Sequence, residues 1–128
     1  SRWNSLDLND FVPHKLQISR NRVSEEDALV RIINPKHPAL NTPNKVSMDD
    51  FEGWVQERGL YFPNEWSENY KTLISSNDTG EGPNDGGILI SKIGKGHFVY
   101  TSYSWFRQLP AGVPGAYKIF SNLLSLGK

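Results

Sequence analysis

Gly86-Gly87-Ile88-Leu89-Ile90-Ser91-Lys92-Ile93, then Gly94-Lys95-Gly96, then His97-Phe98-Val99-Tyr100-Thr101-Ser102-Tyr103 follow one another without interruption. Apolar, β-branched and aromatic runs flank a short turn that holds glycines at both ends, a pattern that predicts a β-hairpin over 87–103. Leu89 lies between Ile88 and Ile90, so apolar side chains point to both faces of the first strand. A strand covered on both faces belongs in the middle of a layered α/β sheet. Such a strand needs neighbours, and some of them are expected outside this chain.

After the hairpin, Pro114 begins a helix expected over 114–126, because proline is favoured at the first helical position. Ala116, Tyr117, Phe120, Leu123 and Leu124 recur at helical spacing as one apolar face, and Gly127 is a natural stop. Before the hairpin, residues 1–15 read as an irregular leading segment, and Leu16, Ile18 and Val23 as a short extended piece. Ser24-Glu25-Glu26-Asp27 reads as a turn. A parallel-type strand is expected over 29–33, ended by Asn34-Pro35. The proline-bearing stretch 34–45 is a loop. Ser47 then caps a short helix near 48–58, with Asp49 and Asp50 in its first turn and Phe51, Trp54 and Val55 on one face. Leu60-Tyr61-Phe62 is a brief extended run stopped by Pro63. Trp66 and Tyr70, four apart, suit a helical turn before Leu73-Ile74, and 77–85 is a loop.

At 128 residues the chain is one domain or part of one. Lys plus Arg equals Asp plus Glu at 14 each, so no basic field is available for nucleic acid or an anionic membrane surface. The absence of cysteine excludes disulfides, thiolate metal sites and a cysteine nucleophile. No apolar run approaches the length of a membrane span. Ser1-Arg2-Trp3-Asn4-Ser5 carries neither a signal-peptide pattern nor an initiator methionine, so a processed product or an excised piece is expected.

His14, His37 and His97 do not pair at metal-ligand spacing, and no carboxylate cluster accompanies them. Gly94-Lys95-Gly96 leads into a strand rather than a helix and so is a hairpin turn, not a phosphate loop. No Gly-x-Ser-x-Gly elbow occurs. Asp49-Asp50 and Glu25-Glu26-Asp27 read as capping and solubility features before they read as acid pairs. The stretch from Trp54 to Phe62 is denser: Glu57 and Arg58 sit among Trp54 and Tyr61. Aromatic rings with a few convergent polar groups suit sugar binding, while the same residues equally suit a core with a solvated Glu57–Arg58 pair. Trp105, Phe106, Arg107 and Gln108 cannot all face a core. Arg107 either pins a loop through carbonyls or lines a cleft at a strand's carboxyl end. The candidate ligand-binding residues are therefore Trp54, Glu57, Arg58, Tyr61, Trp105, Arg107 and Gln108.

Two stretches carry a family resemblance. One runs from His37-Pro38-Ala39-Leu40-Asn41 through Asp50-Phe51-Glu52-Gly53-Trp54-Val55-Gln56-Glu57-Arg58-Gly59-Leu60-Tyr61-Phe62-Pro63. The other runs from Gly94-Lys95-Gly96 through Tyr100-Thr101 to Phe106-Arg107-Gln108-Leu109-Pro110-Ala111-Gly112-Val113-Pro114-Gly115-Ala116-Tyr117. Together they resemble the C-terminal region of large proteins of the PIG-L/LmbE deacetylase family. There a zinc-dependent, GlcNAc deacetylase-like domain is followed by further modules, the last of them ThuA-like with a class I glutamine amidotransferase-like fold. The resemblance implies that 1–128 is a single, partial domain. Its fold class would be α/β, a small mixed sheet with a β-hairpin and flanking helices, forming the C-terminal part of a flavodoxin-like, three-layer fold.

The family's metal motif, of the His-Pro-Asp-Asp type, has no counterpart, because Ala39-Leu40 follows His37-Pro38. The amidotransferase cysteine has none either. No catalytic constellation and no cofactor are therefore expected in this chain. The functional expectation is a non-catalytic accessory region that binds carbohydrate or docks against an upstream domain of the same parent, outside the cytoplasm. The alternatives are a ThuA-like sugar-processing enzyme using Glu57 or a histidine as acid or base, and a structural module that completes a sheet. An exposed sheet edge would also admit a second copy of the chain.

Overall fold

Ile88, Leu89, Ile90 and Ser91 are buried in succession, so the strand they form is covered on both faces as expected. The computed structural model describes residues 12–127; most of the leading segment expected over 1–15 lies outside the described residues. The backbone is mixed α/β, with small antiparallel sheets and two helices. In chain order the strands are β1 (Leu16–Val23), β2 (Leu29–Ile32), β3 (Gly59–Trp66), β4 (Lys71–Thr72), β5 (Ile74–Asn77), β6 (Ile88–Ile93) and β7 (Gly96–Thr101). The helices are α1 (Trp105–Gln108) and α2 (Pro114–Leu124).

β6 lies between β4 and β7, while β1 pairs with β3 and β2 with β5. The hairpin is in strict register from Ile88 opposite Thr101 to Ile93 opposite Gly96. Its turn is therefore two residues rather than three, with Gly94 in the left-handed region at φ 56°. Ile88 and Ile90 face the main core with Phe62, Leu73, Ile74, Trp105 and Ile119. Leu89, on the other face, packs with Leu16 and Tyr70 under Phe98, Tyr100 and Trp66. A β-ribbon and its flanking loop cover that second face, where a layer of helices would stand in a parallel sheet.

The strand expected to be parallel is antiparallel: Leu29 faces Asn77 and Ile32 faces Ile74. Parallel pairing needs a crossover, usually helical. Between β2 and β5 only 3₁₀ turns at Pro38–Leu40 and Met48–Phe51 and the strands β3 and β4 intervene. The helix expected near 48–58 is only the 3₁₀ turn Met48–Phe51. Glu52 and Gly53 leave it, Gly53 at φ 78°. The backbone of Asp50 is crowded from the other side by Gly115 of α2, where a Cβ would lie 1.8 Å from the Asp50 carbonyl oxygen. β3 runs through Pro63 to Trp66 where a stop was expected. Register shifts flank the Ile18–Pro63 pair, and proline is tolerated at such irregularities. The helical turn expected between Trp66 and Tyr70 is instead a tight turn leading into β4.

α2 is the expected helix, rotated relative to the expected face. Ala116, Ile119 and Asn122 are buried, while Tyr117 and Leu124 are more than half exposed. Asn122 holds that face inward: its amide nitrogen donates to the carbonyls of Ala39 at 2.9 Å and Asn44 at 2.7 Å. Its amide oxygen accepts from the Asn44 N–H at 2.9 Å. Gly115→Ala is expected to lower stability by about 1–3 kcal/mol through overpacking. Gly82→Ala, where a Cβ meets open space, should stay within roughly 0.5 kcal/mol. Urea unfolding of the two variants checks the contrast.

His37 caps the Pro38–Leu40 turn, its Nδ1 accepting from the Ala39 N–H at 3.0 Å. Burial pushes its pKa below the ordinary imidazole value, and the neighbouring His97 and Lys71 push it the same way. A depressed folded pKa means that the unfolded chain binds the proton more readily. The stabilisation is therefore complete above about pH 6.5 and is lost as pH falls through the folded value. His37→Asn keeps an acceptor that does not titrate. It should flatten the fall in melting temperature that the unmutated chain is expected to show between neutral and mildly acidic pH, as calorimetry across that range would record.

Candidate functional site

The segment 54–61 is held from two sides. The Arg58 N–H donates to the Val23 carbonyl at the end of β1, and the Ser104 N–H donates to the Arg58 carbonyl at 2.8 Å. The Ser104 hydroxyl donates to Glu57 O at 2.6 Å. Gln108, fully buried, closes the same loop: Nε2 donates to Val55 O at 2.9 Å and Glu57 O at 3.1 Å, and Oε1 accepts from Val55 N–H at 2.8 Å. An irregular loop has no ladder to satisfy its backbone, so side chains from α1 supply the partners.

Trp54, Glu57, Arg58, Trp105, Arg107 and Gln108 are thus linked around one loop, with Tyr61 at its far end, but they do not share one surface. Trp54 is 3% exposed, with its ring 5.6 Å from Trp105, 5.7 Å from Phe51 and 5.9 Å from Tyr103. Its indole N–H donates to Asp50 O at 2.9 Å, and that of Trp105 to Thr101 Oγ1 at 3.2 Å. Neither ring offers an open stacking face. Arg58 is buried too, so Glu57 and Arg58 are not a solvated pair. The guanidinium donates to Phe51 O and, at 2.8 Å, to Ala28 O, and lies over the Phe51 and Trp54 rings at 6.0 and 5.7 Å. Burial lowers its pKa, opposed by Tyr103 and Asp27. Tyr103 is itself enclosed, its phenol pKa driven upward by burial and its hydroxyl 2.8 Å from Ser76 Oγ.

Glu57, Tyr61 and Arg107 remain at the surface. Arg107 Nε meets Glu57 Oε1 at 3.2 Å, so Arg107 is an ion-pair partner here rather than a donor to carbonyls. Its guanidinium also lies 5.1 Å from the ring of Phe106, which is 61% exposed. Tyr61 occupies the left-handed region at φ 57°, at the bulge where β3 shifts register against β1. The Tyr100 and Ser102 hydroxyls both donate to its carbonyl, at 3.1 and 3.2 Å.

On the other side of the segment, Trp54 and Arg58 help to line an open groove of about 490 Å³, bounded by β2 and the Met48–Phe51 turn. Sequence reasoning missed this groove, together with Ser104, Asn122 and Asp78. The Asp78 carboxylate accepts from the Ser24 and Glu25 N–H groups, each at 2.9 Å, and so caps the turn read at 24–27. Little in the sequence signals them: Asp78 falls in the stretch read as the 77–85 loop, Asn122 falls outside the expected apolar face of α2, and Ser104 is a lone small polar residue between Tyr103 and Trp105.

Comparison with protein-family models, curated proteins and solved structures yields no match. Among the described residues no three of His, Asp and Glu are placed to hold a metal ion, and no helix is long and apolar enough to cross a membrane.

Gln108→Ala is expected to cost about 2–4 kcal/mol, because it strands buried backbone groups at Val55 and Glu57. Arg107→Ala, which breaks a half-exposed ion pair, should cost less than about 1 kcal/mol. Chemical denaturation of both variants tests the division between frame and fringe.

Proposed function

We propose that this chain is a non-catalytic accessory region of a PIG-L/LmbE-like sugar deacetylase, and that it works by docking to another domain of the same parent. The observation that carries docking is the direction of the polar atoms. Nearly every hydrogen-bonding group of Arg58, Ser104 and Gln108 is committed to this chain's own backbone. Residues engaged in that way position a surface; they do not turn over a substrate. Open apolar surface beside them, with Met48 and Leu29 on one side and Phe106 on the other, is the kind that a second domain covers.

The family resemblance is what supports the finer fold reading, the C-terminal portion of a three-layer, amidotransferase-like domain. The strands β2 and β7 each end their sheets and could be extended by strands of that larger fold. Carbohydrate binding is the second reading, favoured by the exposed Phe106 ring with Arg107 over it and Glu57 beside it.

Co-expression with the protein segment encoded immediately upstream tests the first reading. The two should co-purify, and the upstream segment should carry a deacetylase domain; an upstream segment without one removes the proposal. Calorimetric titration with chitooligosaccharides tests the second. Heat that disappears in Phe106→Ala would favour sugar binding over docking.

A further inference from the structure

The groove between β2 and the Met48–Phe51 turn bears four carboxylates, Glu26, Asp27, Asp49 and Glu52, all on exposed residues. Leu29, 58% exposed, and Met48, 45% exposed, supply apolar surface in the same groove. Among the described residues that line it, Arg58 alone is cationic, and its terminal nitrogens are already committed to the Ala28 and Phe51 carbonyls. Its Nε–H, buried, has no acceptor. The whole chain is formally neutral, so this concentration of negative charge is a local feature and not a consequence of composition.

We propose that the groove holds an extended segment of the partner domain that presents a lysine or arginine beside an apolar side chain. The proposal rests on the docking reading above and names the chemistry of the docked piece. A cationic head meets the rim carboxylates, while its aliphatic stem and the apolar neighbour cover Leu29 and Met48. Among the described residues β2 has β5 as its one strand partner, so a strand-like segment is a fitting occupant of the groove beside it. A volume of about 490 Å³ takes a few side chains, which suits a peptide segment and not a folded surface.

The probe is a short fluorescent peptide that alternates leucine with lysine, titrated by anisotropy against the full chain and against the D49N/E52Q variant. Both substituted residues are exposed, and circular dichroism verifies that the variant is folded. Binding to the unmutated chain should weaken with salt, shift the Met48 and Leu29 methyl resonances, and fall roughly tenfold in the variant. Equal affinity for the variant overturns the proposal, and so does equal binding of a peptide with glutamate in place of lysine. Concentration-dependent self-association that the variant abolishes would assign the groove to a second copy and also overturn it. If the upstream segment co-purifies equally with both proteins, docking stands and the groove assignment fails. If it co-purifies with neither while the peptide still discriminates, the groove's chemistry stands and the docking reading fails.

Discussion

A guanidinium enclosed among rings is the constraint that the rest of this structure answers to. Taking an arginine out of water costs several kcal/mol, recovered only where hydrogen bonds and neighbouring charge replace its hydration. Arg58 finds them in two carbonyls far apart in sequence, Ala28 before β2 and Phe51 in the 3₁₀ turn, and in the faces of Phe51 and Trp54. Its own backbone joins Val23 of β1 to Ser104 before α1. One residue thus fixes the relative placement of segments that share no sheet. Removing the side chain would leave carbonyls stranded inside the core, and the aromatic cluster above it would lose its floor.

Buried amides do the same work at other joints. Asn122 on α2 reaches Ala39 and Asn44, and Gln108 on α1 reaches Val55 and Glu57. Each anchors a stretch of chain with no regular structure of its own. The long path from β2 to β3 contains only 3₁₀ turns, so its backbone polar groups would be costly to enclose without such partners. Asn122 also accounts for the rotation of α2, since a polar residue outside the expected apolar face is drawn to the centre of the buried face by the carbonyls it satisfies.

The hairpin was legible because two periodicities agreed with a glycine turn within a short window, and α2 because Pro114 and its apolar spacing reinforced each other. Both depend on neighbours in sequence. What was not legible depends on distant partners. Trp54 and Val55 fit a helical face, yet Gly53 and the approach of Gly115 to Asp50 end the helix after one turn. Pro63 reads as a strand stop until the register shift opposite Ile18 makes room for it. Of the candidate residues, Trp54, Glu57, Arg58, Trp105, Arg107 and Gln108 are linked by contacts, but sequence cannot say which of them turn inward. Arg58 and Gln108 do so because unpaired carbonyls wait for them, and those carbonyls belong to residues with no distinguishing chemistry of their own.

The same segment therefore has two sides with different surroundings. Arg58 and Trp54 help to wall the acid-rimmed groove, while Glu57, between them in sequence, turns to Arg107 on α1. The groove and the Phe106–Arg107 fringe are separated by only a few residues of backbone, and that backbone is clamped by Ser104 and Gln108. A loop so held cannot adjust one side without moving the other. A strip held in that way suits the docking role proposed above, in which both of its sides would fix the orientation of a neighbour.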